Sequence, residues 1–203
     1  MSSVNAQIET LKLILEKSLR PSELNHHPWT ASLIVSDAIL NGSVSKDKSP
    51  GHQLVMTIGK LFSETMPSTP PKRGKRLDTN WGEFGILASQ YFAPLLFGVP
   101  SPVSLRDAWG RIDQSILLFV FGKPENSLSD ADKDTYKLVG DEPGVAPNST
   151  LSDWHRKGLQ QLMNVIQARE NYLSASLSKP AVISQDKREN SKKEALRISI
   201  ESE

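Results

Sequence analysis

Four histidines, His26, His27, His52 and His155, are the residues of this 203-residue chain whose type is suited to proton transfer near neutrality, and it has no cysteine. His26 and His27 are adjacent and cannot share one helical face, and no His-Glu-x-x-His spacing occurs. His155 lies in Trp154-His-Arg-Lys157 at the start of a helical segment, two residues after Asp153. There it offers a general base or an anion-binding group, assisted by the N–H groups of the helix start. Asp153 and His155 are the one pair from which catalysis would be built, although a surface cap accounts for them better. No Gly-x-Ser-x-Gly, Walker or Gly-x-Gly-x-x-Gly motif is present. The residues therefore name no catalytic site, metal or cofactor, and the balance leans away from an enzyme.

Cations form the second constellation. Lys72, Arg73, Lys75 and Arg76 fall in Pro70-Pro-Lys-Arg-Gly-Lys-Arg76, just ahead of Trp81. Four positive charges so close together release counterions from a phosphate backbone, and Trp81 supplies a stacking face. Pro67-Ser-Thr-Pro70-Pro-Lys72 also has the PxxPx(K/R) form that docks in aromatic grooves. A solvated loop between helices is the plain alternative. A third constellation, Asp130-Ala-Asp132-Lys-Asp134 with Asp141, matches acidic positions of a calcium loop. It has Thr135 where the turn needs glycine, and Asp rather than Glu at the last ligand position. A solvated acidic loop is the better reading.

Trp29, Trp81, Trp109 and Trp154 all stand near expected helix starts, where core packing explains most of them. Tryptophan beside arginine is also the usual interface anchor. That makes Trp81, Trp109 with Arg111, and Trp154 with His155 and Arg156 the candidate protein-contact residues. Gly82 and Gly85, in Trp81-Gly-Glu-Phe-Gly85, suit close helix approach, and so does Gly110.

These residues have to be carried by helices. Ile8, Leu11, Leu15 and Leu19 recur at helical spacing over 4–19, ahead of Pro21. The same period predicts a helix over 29–40 closed by Gly42, and another over 50–64. A fourth runs over 80–92, with Pro94 set to kink or end it. Ser104 caps a fifth that continues to Phe121, with Asp107 and Arg111 paired at i,i+4. Its apolar end, 116–121, reads as helix by continuity and as buried strand by composition. A helix-turn-helix over 88–109 fits poorly, because Pro94, Pro100, Pro102, Asp107 and Asp113 all oppose it. Thr150-Leu-Ser-Asp153 resembles a capping box ahead of a long helix bearing Leu159, Leu162, Ile166 and Leu173.

The expected fold is thus all-α: a single compact bundle of about five or six helices over 1–177. It carries a basic Pro-rich loop at 67–78, an acidic loop at 122–148 and a flexible charged tail over 178–203, where Ile198 and Ile200 are too isolated to order the chain. The 24 bases and 23 acids nearly cancel, which excludes a uniformly basic nucleic-acid coat. Locally the balance differs: residues 67–80 hold four bases and one acid, and residues 122–148 hold three bases and six acids. The uncharged stretch from Phe84 to Leu105 contains three prolines and reads as buried helix plus loop, not as a membrane span. With no basic and apolar leader, the expected setting is the cytoplasm. The functional expectation is a non-enzymatic helical adaptor or regulatory protein with a protein partner. Nucleic-acid binding through 72–76 is the alternative, and an enzyme of unrecognised type the third. Nothing in the sequence specifies an oligomeric state.

Overall fold

The computed structural model describes residues 2–69, 77–123, 127, 129 and 146–178. Among them every regular element is helical, so the all-α expectation holds. Helix α1 (Ser2–Glu16) buries Leu11, Ile14 and Leu15, while Leu19 lies beyond the helix end and is exposed. A 3₁₀ turn at Pro21–Leu24 leads to a second at Pro28–Ala31. The continuous helix expected over 29–40 is therefore two elements. Ser32 adopts an extended conformation (φ −70°, ψ 158°) between that turn and α2 (Leu33–Leu40). Helix α3 (Pro50–Ser63) begins with its Pro in the first turn, where the missing N–H is harmless, and buries Leu54, Val55, Ile58, Leu61 and Phe62.

Helix α4 (Thr79–Leu87) is capped by Asp78, whose carboxylate accepts from the Trp81 N–H at 3.0 Å. Pro94 does not stop the chain from helical winding. It has no N–H to give the Gln90 carbonyl, and the backbone widens ahead of it into a π turn over Ala88–Phe92. There the Ala93 N–H reaches the Ala88 carbonyl, and winding resumes as α5 (Ala93–Phe97). The helix expected over 104–121 is also divided, into α6 (Leu105–Gly110) and α7 (Ile112–Phe121). Arg111 breaks it at φ −114°, ψ 7°. Residues 116–121 are helix, which removes the strand alternative; their apolar side chains pack from α7 against the core. With its second helix ending at Gly110, and Ala108 and Trp109 buried, the helix-turn-helix reading of 88–109 also falls.

Helix α8 (Asn148–Ser178, 31 residues) is the spine of the bundle, about 46 Å long. It starts two residues before Thr150, so the Thr150–Asp153 box lies within its opening turns and does not cap it. Leu159, Leu162 and Ile166 form its buried stripe. Against them stands one contiguous core with a four-ring aromatic centre: Phe62 stacks on Phe92 (3.9 Å between ring centres) and on Phe84 (4.7 Å), with Phe119 edge-on at 5.3 Å. No described helix is long and apolar enough to cross a membrane.

Candidate functional site

The crossing of α4 and the π turn with α8 collects most of the residues that attract attention in the sequence. Glycine makes the crossing close. A Cβ on Gly82 would lie 2.7 Å from the Trp154 indole, and one on Gly158 the same 2.7 Å from the Glu83 carbonyl oxygen. Gly85 has the same role toward α7, where a Cβ would meet Ile112 at 2.6 Å. Gly110, expected to do likewise, has nothing within 4 Å of a Cβ and marks only the end of α6. Because the helices approach so closely, Trp81, Trp109 and Trp154 are core residues, at 2 %, 7 % and 6 % exposure. The rings of Trp109 and Trp154 pack 5.5 Å apart, and the Trp81 indole N–H donates to the Thr69 carbonyl at 2.8 Å. None presents a face to a partner, and Trp81 is not available for stacking on a base. Arg111 is occupied as well, gripping Asp107 with two 3.0 Å bonds and donating to the Pro100 carbonyl. The i,i+4 pair read from the sequence thus forms, and it holds the break between α6 and α7. Arg156 is exposed and bonds Asp153 at 2.8 Å.

His155 faces inward at this crossing. Its Nε2 lies 2.9 Å from the Tyr91 hydroxyl, which the π turn aims at it. Burial, reinforced by the charge of Lys12, lowers the His155 pKa to about 4 from an ordinary 6.5. Burial and then the Glu16 carboxylate push the Tyr91 phenol above its usual range. Both groups are neutral across the physiological range, each moved away from the pH at which proton transfer would be useful. Asp153 does not orient the imidazole. Its carboxylate binds Lys157 and Arg156, each at 2.8 Å, and those bonds, Lys157 first, hold its pKa down. The small cavity beside Tyr91, bounded by Glu16, Ser18, Gln90 and Ser101, measures about 190 Å³, below the range of small-molecule sites. Glu83, also buried here, accepts from the Gln161 side-chain amide, and burial raises its pKa. The π turn has a sufficient cause in Pro94. This is a hydrogen-bonded packing junction.

Lys72, Arg73, Lys75 and Arg76 lie outside the described residues, as do the rest of 70–76, the acidic set from Asp130 to Asp141, and the tail beyond Ser178. What precedes and follows 70–76 is fixed. Thr69 is held through Trp81, Leu77 is buried, and the Asp78 carboxylate fills the N-terminus of α4, where an anion would otherwise sit.

A different place has the form of a binding site. Between α1, the Pro28–Ala31 turn with the start of α2, and the second half of α8 runs a groove of about 470 Å³, within the range of ligand sites. Its floor is apolar: Trp29, Ile34, Met163 and Ile166. Its rim is polar, made by Gln7, Ser32, Gln167, Glu170 and Asn171. The Gln167 amide donates to Gln7 Oε1 at 2.7 Å and ties α8 to α1 across one end. Glu170 Oε1 accepts from the Ile34 N–H at 3.2 Å, supplying the cap that Ser32 does not give. Ser32 Oγ is buried with no hydrogen-bond partner. Beside the groove, Arg169 pairs with Asp37 at 2.8 Å and rests 5.8 Å from the Tyr172 ring centre.

The extended Ser32 separates the Pro28–Ala31 turn from α2, and Trp29 and Ile34, on either side of it, both line the groove. The sequence marks Trp29 as one of four tryptophans that core packing mostly explains, and Ile34 and Ile166 as members of helical faces, but it does not single out the polar lining residues, because the groove joins three segments far apart in the chain. The one signal available was the polar half of the α8 stripe, Gln167, Glu170 and Asn171, beside Ile166.

Among the described residues no group of three or more His, Cys, Asp and Glu side chains is placed to hold a metal ion. Comparison of the chain with protein-family models, curated proteins and solved structures gives no match.

Proposed function

We propose that the chain is a non-enzymatic helical adaptor that holds a protein partner in the groove between α1, α2 and α8. One observation carries this reading: an apolar floor the size of a ligand site, rimmed by amides and a carboxylate, with the buried Ser32 Oγ still lacking a partner. A groove of that composition takes an extended peptide segment. An aliphatic side chain of the segment seats against Trp29 and Met163, and its backbone N–H groups face the rim acceptors. The adaptor role expected from the sequence is thereby moved from the buried tryptophans to a surface that can be reached. The Tyr91–His155 pair fits the non-enzymatic half of the reading, since burial makes the imidazole a weak base and the phenol a weak acid.

The test is site-dependent capture. Asn171 is exposed at the groove rim, so Asn171→Trp plugs the groove without disturbing the core. The partner captured by the native chain should be lost with Asn171→Trp and kept with Arg111→Ala, which leaves the groove intact. Equal capture by all three proteins overturns the reading.

A second reading places a polyanion on Lys72, Arg73, Lys75 and Arg76, supported by the fixed feet of that segment at Thr69 and Leu77. It requires an RNA or DNA gel shift that weakens steeply with salt and is abolished by reversing the four charges. No shift at low salt removes it.

A further inference from the structure

We propose that residues 195–200 of the same chain, Ala-Leu-Arg-Ile-Ser-Ile, lie in the groove in cis and compete there with the partner segment. This rests on the reading of the groove as a peptide site and adds its regulation. Helix α8 supplies Met163, Ile166, Gln167, Glu170 and Asn171 to the groove, then runs to Ser178, about 10 Å beyond Asn171. The chain that follows therefore leaves α8 close to the groove.

Residues 179–194 separate Ser178 from the segment, and a random-coil linker of that length spans on the order of 20 Å. Along α8 the groove runs from about 10 Å (Asn171) to about 22 Å (Met163) back from Ser178, so that reach matches it, the condition under which a tethered ligand attains its highest effective concentration. The nearer apolar group, Pro180-Ala-Val-Ile183, falls short: Ile183 is at most about 17 Å of extended chain from Ser178 and does not reach Met163.

Leu196, Ile198 and Ile200 alternate with Arg197 and Ser199, so an extended conformation puts three aliphatic side chains on one side. That side matches a floor of Trp29, Ile34, Met163 and Ile166. Arg197, on the other side, brings a positive charge to the rim that holds Glu170. The residues that are too isolated to order the chain by themselves find their apolar counterpart in the groove.

The absence of cysteine allows a direct test on the full chain. Spin labels are placed at Ser36→Cys, exposed on α2 two residues from Ile34, and at Ser199→Cys, and electron–electron distances are measured in dilute solution. One narrow distance is expected. It should be lost with Leu196→Ser, Ile198→Ser and Ile200→Ser together, lost with Asn171→Trp, and unchanged with Val182→Ser and Ile183→Ser. A broad distribution in the native sequence overturns the proposal. So does a narrow one that survives Asn171→Trp, or one that depends on Val182 and Ile183 instead. Mixed singly labelled chains should give no such distance; if they do, a second copy is the occupant. A broad distribution with partner capture still sensitive to Asn171→Trp removes the tail and leaves the groove standing. Capture insensitive to Asn171→Trp removes the groove reading itself.

Discussion

The α4–α8 crossing and the groove around Trp29 use the same long helix in opposite ways. At the crossing, the first half of α8 is brought so close to α4 that glycines replace side chains, and some of the polar groups trapped there pair, Tyr91 with His155 and Gln161 with Glu83, while Ser89 Oγ, Gln90 Oε1 and the Trp109 indole N–H stay without a partner. At the groove, the second half of α8 is joined to α1 and α2 by side-chain hydrogen bonds that leave an open groove between them, where the buried Ser32 hydroxyl has no partner. The residue types that suggest chemistry therefore lie in a packed junction, and the open groove is lined by ordinary residues. Burial at the junction drives His155 and Tyr91 to their neutral forms.

The crossing should be the most fragile region. Gly82→Ala sets a methyl group 2.7 Å from a buried indole, and Gly158→Ala sets one 2.7 Å from a backbone carbonyl. Neither neighbour can retreat without moving a helix, so each change should cost about 3 kcal/mol, measured by urea denaturation. Gly110→Ala, with open space around its Cβ, should instead stabilise by about 0.5 kcal/mol. Equal effects at Gly82 and Gly110 would break the contrast between a close crossing and a loose end.

Acid should act on the crossing. His155 has a folded pKa of about 4 against an ordinary 6.5, so between these values the unfolded chain binds the extra proton. Stability is then lost as pH falls through that window, by up to about 3 kcal/mol. Glu83, with its pKa raised by burial, has the opposite sign: its contribution is present at low pH and is lost as pH rises above the ordinary carboxylate value. The His155 part is isolated by comparing native chain and His155→Gln across pH 4 to 7. The native chain should show the steeper acid loss; parallel curves would mean that the imidazole is not held neutral.

At the groove, the expected effect is on binding. Asn171→Trp should weaken partner binding at least tenfold, about 1.4 kcal/mol, with the urea midpoint unchanged. A large loss of stability with this variant would show that the groove is part of the packed core.

Much of the fold was legible because helices announce themselves by period. Leu11 with Leu15, Leu54 with Ile58 and Leu61, and Leu159 with Leu162 and Ile166 predict the faces that are buried. The boundaries depended on tertiary partners. Asp107 and Pro100 fix Arg111 at a break that its own sequence does not signal, and the π turn ahead of Pro94 is one of several ways a helix can accommodate a proline. Tryptophan type alone could not decide between anchor and core. What decided it was the residue opposite, Gly82 beneath Trp154, and that pairing joins positions far apart in the chain. The groove was illegible for the same reason, because Gln7, Trp29 and Glu170 meet only after three elements have packed.

The smallest effects provide the sharpest comparison, because the same kind of change is made in both regions. Tyr91→Phe removes a hydroxyl that is hydrogen-bonded to the half-buried His155, so it should destabilise by about 1 kcal/mol. Ser32→Ala removes a hydroxyl that is buried with no partner and gives α2 no cap, so nothing is lost but a desolvated polar atom. That change should be neutral or stabilising by about 0.5 kcal/mol. It should also weaken partner binding if the Ser32 hydroxyl meets the segment that enters the groove. Opposite signs in stability, with a binding loss confined to Ser32→Ala, separate a polar group kept for the fold from one kept for a ligand. Loss of stability in both would mean that Ser32 has a structural partner and that the groove carries no unmet capacity.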